Sequence, residues 1–165
     1  MSIVTSFPPI ADRSSKILVL GSMPGLASLK ANQYYAHPRN SFWRIMANIY
    51  GFSAEAEYLS RVESLTNSGV AVWDVLQSCE RPGSLDSAIV PGTRACNDFK
   101  LFFEQFTEIE LIAFNGSEAQ SSFNKLVLPK IELKDFHYVR LPSTSPAHTL
   151  ALEQKTNAWK KALQG

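Results

Sequence analysis

Four short apolar runs divide the chain, and most segments between them repeat apolar residues at helical spacing. A short continuous apolar run is typical of a strand that is covered on both faces in a parallel sheet. The pattern predicts strands over residues 16–20, 70–76, 109–114 and 136–141. It also predicts helices over residues 41–50, 54–67, 95–106 and 150–163, a helix that begins near residue 117, and a loop over residues 77–93.

This alternation of strands and helices predicts an α/β fold. Right-handed crossovers make the four strands parallel and place helices on both faces, which gives a three-layer α/β/α sandwich around a central four-stranded parallel sheet. Parallel strands bring their carboxyl ends to one edge, where ligands of open α/β folds bind. We therefore expect the loops that begin at Gly21, Asp74, Asn115 and Pro142 to converge there around a ligand site.

The composition agrees with an ordinary globular protein. Its 165 residues fit one domain, residues 1–165, and are 45% apolar and 19% charged. No run approaches the roughly 18 apolar residues that span a bilayer, so we expect no membrane partner. Residues 1–10 have neither a basic region nor a long apolar region, and we expect a cytoplasmic protein that works as a monomer.

Several chemistries are disfavoured by the residues that the chain lacks. Its two cysteines, Cys79 and Cys96, form no C-x-x-C pair, and no zinc deaminase or Walker A motif occurs. We expect chemistry without a metal or cofactor. The net charge of +1 means that a nucleic acid would have to be held by a local cluster of cations. The candidates are Arg39, Arg44, Arg81, Arg94 and Arg140.

Four motifs follow the predicted strands or precede a predicted helix. They are G-S-M-P-G at 21–25, Y-A-H-P-R-N-S-F-W at 35–43, F-N-G at 114–116 and L-P-S-T-S-P-A at 141–147. Together, over residues 16–148, they resemble the uracil-DNA glycosylase superfamily, and most closely its hypoxanthine-DNA (deoxyinosine) glycosylase branch. The resemblance implies a monofunctional DNA repair enzyme that flips a deaminated base out of the duplex and hydrolyses its N-glycosidic bond.

The resemblance also implies roles for two asparagines. The mismatch-specific uracil and thymine branches carry a water-orienting asparagine where this chain has Met23, so catalysis is expected to pass to Asn40. Asn115 matches the asparagine that contacts the extruded base. Asparagine does not titrate, so Asn40 can orient water or bind the leaving base but cannot act as a general base. The alternatives are that Asn40, or the neighbouring Ser41, caps a helix and that Asn115 forms a tight turn.

A second catalytic candidate is Asp74, because a carboxylate at the end of a buried strand can have a raised pKa and serve acid–base chemistry. Its alternative is a structural or helix-capping carboxylate. Tyr35 is the preferred ring for stacking on a flipped base, whereas Phe42 could equally belong to the core. The residues expected at the base are Gly21, Ser22, Met23, Tyr35, Phe42 and Asn115.

Polar residues after the fourth strand are suited to phosphate oxygens, which position DNA without reading its sequence. The residues expected at the DNA backbone are Ser143, Thr144, Ser145, His148 and Arg39. The alternative for the serines and threonine is a turn before the last helix. Some relatives carry a bulky wedge in this loop, but Ala147 is too small to fill a vacated base stack.

The sequence thus predicts a glycosylase acting on a deaminated base in DNA, with hypoxanthine favoured and an abasic site as product. Three alternatives stay open. The first is a mismatch-specific uracil or thymine glycosylase, and the second is a noncatalytic nucleic-acid-binding module of the same fold. The third is an enzyme of free nucleosides or nucleotides, which would show little sensitivity to salt.

Overall fold

The computed structural model describes residues 2–132 and 135–164. The strands in these segments are β1 (Ile3–Thr5), β2 (Ile17–Gly21), β3 (Val70–Asp74), β4 (Leu76–Glu80), β5 (Ala95–Cys96), β6 (Leu111–Asn115) and β7 (His137–Leu141). The α-helices are α1 (Leu26–Ala31), α2 (Phe42–Tyr50), α3 (Tyr58–Asn67), α4 (Phe99–Gln105), α5 (Ser117–Ser122) and α6 (Leu152–Gln164).

A parallel sheet with the strand order β3-β2-β6-β7 forms the centre of the fold. Its continuous apolar strands reflect burial on both faces: Leu18 and Leu20 join one core cluster and Val19 joins the other. Helices α4 and α5 supply apolar residues to the first cluster, and α2, α3 and α6 supply them to the second. The predicted three-layer α/β/α sandwich is therefore confirmed.

A second sheet corrects the predicted 77–93 loop. This sheet is antiparallel, with the strand order β1-β4-β5, and β4 occupies part of that loop. The predicted strand 70–76 ends at Asp74, because the backbone then turns and Leu76 begins β4. In β4 only Leu76 and Cys79 are buried, so the segment lacks the continuous apolar run of the central strands.

The helix boundaries also differ from the prediction in places. The helix predicted over 54–67 begins at Tyr58, and the one predicted over 95–106 begins at Phe99 because Ala95–Cys96 pairs with β4. Helix α1 was not predicted. It has six residues and starts from Gly25 without a side-chain cap, so it carries little of the usual helix signal.

Two buried indoles tie loops near the carboxyl edge of the sheet to the core. The Nε1 of Trp43 donates to the backbone oxygen of Tyr34 at 2.9 Å, and the Nε1 of Trp159 donates to that of Pro142 at 2.9 Å. A buried indole N–H needs an acceptor, and each of these bonds supplies one while fixing a loop. Both fixed loops lead into the region described next.

Candidate active site

A cavity with a volume of about 510 Å³ lies at the carboxyl edge of the parallel sheet. That volume is in the range of small-molecule sites. Its walls come from residues 21–28, 34–35, 84–87 and 143–148, and from His37, Asn40, Asp74 and Asn115. The predicted convergence of the four strand ends is confirmed, because the last residues of β2, β3 and β6 and residues 143–148 after β7 all line the cavity.

Gly21 lies where two polar side chains meet at the floor of the cavity. A Cβ built on this glycine would lie 2.6 Å from Oδ1 of Asp74 and 3.0 Å from the hydroxyl of Tyr35. The absence of a side chain at position 21 therefore allows the carboxylate and the phenol to approach the backbone.

Gly21→Ala is expected to destabilise the fold by about 1–3 kcal/mol, the usual cost of overpacking. The matched control is Gly25→Ala, whose Cβ would meet Ser84 at an ordinary 3.5 Å. Urea unfolding of both variants measures the difference. Equal stability of Gly21→Ala and Gly25→Ala would show that the side chains of Asp74 and Tyr35 can move away from the new Cβ without loss of folding free energy.

Asp74 is a buried carboxylate with an incomplete set of partners. Its side chain is 4% exposed, and Oδ2 has no hydrogen bond among residues 2–132 and 135–164. Burial, followed by the charge of Asp86, raises its pKa from the ordinary 3.8 to about 7, although the charge of Arg81 acts in the opposite direction. Both protonation states are therefore populated near neutral pH, as acid–base chemistry requires.

Tyr35 presents an aromatic ring to the cavity from a strained backbone. Its φ of +55° is in the left-handed region, which costs a tyrosine on the order of 1 kcal/mol and suggests a functional constraint. The ring is partly exposed, and its other side stacks on Phe42 with centroids 4.1 Å apart. Burial, followed by the charge of Asp74, raises the pKa of the Tyr35 hydroxyl, which stays neutral.

Phe42 does not supply the base contact that the sequence suggested. It is fully buried, lies behind Tyr35 and is not among the residues that line the cavity. Its helical position places it in the core, which was the alternative stated above. The contribution of Phe42 to the site is to support the ring of Tyr35.

Asn40 lines the cavity and also caps α2. Its Oδ1 accepts a hydrogen bond from the backbone N–H of Phe42 at 3.0 Å. Ser41 occupies the N-cap position, but its hydroxyl donates to the backbone oxygen of Thr144 instead. The capping alternative for Asn40 is thus real, and it leaves one lone pair of the oxygen and the amide group for a ligand.

Asn115 is held by two hydrogen bonds to Thr144. Its Nδ2 donates to the hydroxyl of Thr144 at 2.9 Å, and its Oδ1 accepts from the backbone N–H of the same residue at 2.9 Å. Each amide atom keeps one further donor or acceptor for a ligand. Thr144 is buried, so its hydroxyl is committed to Asn115 and is not directed at a phosphate as we expected.

Thr144 connects both asparagines. Its backbone oxygen accepts from the N–H of Ser41 at 3.0 Å and from the Ser41 hydroxyl at 3.2 Å. Ser41 directly follows Asn40, and Thr144 bonds Asn115 as described. One residue of the loop after β7 therefore sets the separation of the two amides.

The rest of the 143–148 loop forms the serine turn that was the alternative to a phosphate contact. The Ser143 hydroxyl accepts from the N–H of Ser145, and the Ser145 hydroxyl accepts from that of Ala147, which are hydrogen bonds of a serine-rich turn. Ser143, Ser145 and the exposed His148 nevertheless line the cavity. Arg39 is exposed but lies outside the residues that line it.

The G-S-M-P-G loop at 21–25 forms another part of the cavity wall. Met23 is buried in this wall and lines the cavity. The hydroxyl of Ser22 donates to Oδ1 of Asp86 at 2.5 Å, which joins the wall to residues 84–87. Gly21, Ser22 and Met23 thus lie where the sequence suggested base contacts.

The sequence analysis did not predict that three charged residues hold the loops around the cavity by hydrogen bonds. Arg81 is buried and donates to the backbone oxygens of Pro24 at 2.7 Å and Gly83 at 2.8 Å. Asp86 binds Ser22, and Lys155 donates to the backbone oxygen of Ser145 at 3.1 Å. Lys155 is four residues before buried Trp159, so helical spacing already placed it on the apolar face of α6.

Only some of the arginines that were candidates for holding a nucleic acid are free to do so. Arg81 is buried against backbone oxygens, and Arg94 forms a 2.8 Å ion pair with Glu118. Arg39, Arg44 and Arg140 are exposed. Across the described part of the chain, no three His, Cys, Asp or Glu side chains group as metal ligands would, and no helix is long and apolar enough to cross a membrane.

Comparison with known proteins gives a consistent set of similarities. The profile of the Uracil DNA glycosylase superfamily matches residues 8–164. A Methanosarcina barkeri protein named hypoxanthine DNA glycosylase is 30% identical over 159 residues, 96% of each chain. A Methanosarcina acetivorans protein of the same name is 31% identical over 155 residues, 93% of this chain and 94% of its own.

A solved structure supports the same grouping. The solution NMR structure of a Methanosarcina acetivorans protein, described as a candidate uracil DNA glycosylase, superposes with a TM-score of 0.79. It is 30% identical, and the match covers 99% of both chains. The similarity in sequence and in backbone therefore extends over the whole fold and includes the cavity loops.

Proposed function

This chain belongs to the uracil DNA glycosylase superfamily, and from that premise we propose that it is a monofunctional DNA glycosylase that removes hypoxanthine and leaves an abasic site. The observation that carries the proposal is one cavity lined by Asn40, Asp74, Asn115 and the partly exposed ring of Tyr35. The names of the Methanosarcina relatives support hypoxanthine as the base. We propose that the enzyme acts as a monomer on DNA.

The proposed reaction needs water but no cofactor. The water oxygen forms a bond to C1′ of the deoxyribose as the bond from C1′ to the base nitrogen breaks, and the base leaves with the bonding electron pair. Positive charge develops on the sugar, as in other glycoside cleavages. The ionised Asp74 stabilises that charge and accepts a proton from the water. This proton then neutralises the departing base.

The neutral groups of the cavity act by placement. Tyr35 provides a flat face for the flipped base, because its ring is partly exposed and is supported by Phe42. Asn40 uses its free valences to orient the water or to bind the leaving base. Asn115 directs its second N–H and second lone pair at the edge of the base.

A base-release assay tests the proposal. Oligonucleotides that contain hypoxanthine, uracil or xanthine are incubated with the protein at low salt, and free base and abasic sites are measured against an undamaged duplex. We expect release of hypoxanthine above the other two. Preferred release of uracil would support the mismatch-specific alternative, which the structural relative's description favours. Lesion binding without release of any base would contradict enzymatic activity.

Lys155 gives a separate prediction about DNA binding. It is 4% exposed, and burial lowers its pKa, but its hydrogen bond to Ser145 places a cation directly behind the proposed phosphate loop. Lys155→Met is expected to weaken binding to all DNA sequences and to reduce the salt slope by up to about 1.

The control for this prediction is Lys160→Met, which removes an exposed lysine from the same helix. Fluorescence anisotropy of a labelled duplex at several salt concentrations measures both variants. An equal loss in Lys160→Met would show a general effect of net charge and contradict a particular role for Lys155.

A further inference from the structure

We propose that Leu85 enters the base stack of duplex DNA and fills the gap that remains when a base turns out into the cavity. This inference rests on the proposed function. It assigns a DNA contact to the 82–87 segment, which follows β4 and includes the start of the 3-10 turn at Asp86–Ala88.

Leu85 is an exposed apolar residue at the rim of the cavity. Its side chain is 55% exposed although it is one of the residues that line the site. All residues from 82 to 87 are exposed, and this exposed segment around Leu85 is called the tip. An exposed leucine alone is ordinary, but one on the tip beside a ligand cavity suggests a contact with the bound partner.

Hydrogen bonds on both sides hold this tip in place. Next to Leu85, the hydroxyl of Ser84 accepts from the backbone N–H of Leu26 at 2.9 Å, and Asp86 accepts from Ser22 at 2.5 Å. The buried Arg81 donates to the oxygen of Gly83 at 2.8 Å. Leu85 is therefore presented by a fixed backbone, which lowers the entropic cost of inserting it.

The chemistry of base flipping supplies the need for such a residue. When a base leaves the stack, its two neighbours expose apolar faces, and an inserted apolar side chain can cover them. The loop after β7 also lines the cavity, but it offers Ala147, which is too small, and His148, which is polar. Leu26 also lines the cavity and is 52% exposed, but it is the first residue of α1, whereas Leu85 belongs to a segment that is exposed at every position from 82 to 87.

The experiment compares duplex and single-stranded DNA. Single-turnover release of hypoxanthine is measured for wild type, Leu85→Ala, Leu85→Phe and Leu26→Ala on the same sequence in both forms. Leu59→Ala removes a leucine that is 69% exposed and outside the cavity, and serves as the control. We expect Leu85→Ala to lose about tenfold on duplex, with single-strand activity within about twofold of wild type, and Leu85→Phe to retain duplex activity.

A binding measurement keeps the inference separate from catalysis. A duplex with a tetrahydrofuran abasic analogue already has the gap, so Leu85→Ala should bind it about tenfold more weakly than wild type does. If wild type releases no base, the proposed function fails, and this affinity still decides the role of Leu85.

Several results would overturn the inference. Equal loss on single strands would mean that Leu85 supports the cavity, and a duplex-specific loss in Leu26→Ala instead would assign the gap to Leu26. Unchanged duplex activity and unchanged abasic-duplex affinity in Leu85→Ala would also exclude it.

Discussion

Asn40→Ala is expected to lower the rate of base release by about 10²–10³-fold, the usual effect of removing one preorganised polar group from a reacting centre. Asn40 lines the cavity that also contains Asp74 and Tyr35. Because its amide has a fixed position at the start of α2, its loss removes a contact that reacting groups cannot replace with mobile water. Single-turnover release of hypoxanthine measures this rate.

The capping bond makes a second variant necessary. Asn40→Ala also removes the acceptor for the N–H of Phe42, and loss of such a cap costs about 1 kcal/mol. Asn40→Ser keeps a capping oxygen but lacks the amide. We expect both variants to lose activity, whereas urea unfolding should show a clear loss of stability in Asn40→Ala alone. Near wild-type activity in Asn40→Ser would show that the residue is a cap without a catalytic role.

Base release is expected to rise with pH and to reach half its maximum near pH 7. The physical reason is that the proposed active form of Asp74 is ionised, and its pKa is raised to about 7 by burial and by Asp86. Asp74→Asn cannot accept a proton, and we expect it to lose about 10²-fold or more in rate and to lose the rise with pH. The pH dependence of the single-turnover rate tests this for both proteins.

The ionisation of Asp74 should lower the stability of the fold as pH rises, whereas it raises the rate of base release. Its pKa is higher in the folded state than the ordinary 3.8, so the folded protein binds more protons between about pH 4 and pH 7. The free energy of unfolding should therefore fall as pH rises through this window, by up to about 4 kcal/mol. Asp74→Asn should lack this contribution and become more stable than wild type at pH 8.

Two results would contradict this account of Asp74. A rate that falls as pH rises through 7 would mean that the protonated acid is the active form. A stability difference between Asp74→Asn and wild type that does not change with pH would mean that folding does not raise the pKa of Asp74. Activity and unfolding are measured in the same buffers.

The central sheet could be predicted because its strands are buried on both faces. A run such as residues 16–20 is apolar at successive positions, and this signal depends little on the rest of the fold. The β1-β4-β5 sheet gave no such signal. Its strands have only two to five residues, and β4 mixes buried and exposed positions, so tertiary pairing and not local pattern determines it.

The candidate site was predictable to a similar degree. Asn40, Asp74 and Asn115 follow strands or precede a helix, so topology alone brought them to one edge, and all three line the cavity. Arg81 and Lys155 act through bonds to the backbone of distant loops. The sequence does not say which carbonyl a buried cation will meet, because that depends on how two loops pack.

The bridge formed by Thr144 has a consequence for changing the enzyme's choice of base. Because Thr144 is bonded to Asn115 and to Ser41, which directly follows Asn40, the positions of the two amides proposed for base binding and catalysis are coupled. A substitution that shifts one amide also displaces the other, so a change made for base recognition also lowers the rate of hydrolysis. A different range of bases is therefore easier to reach by substituting Met23, which lines the cavity and is not part of the hydrogen-bonded bridge through Thr144.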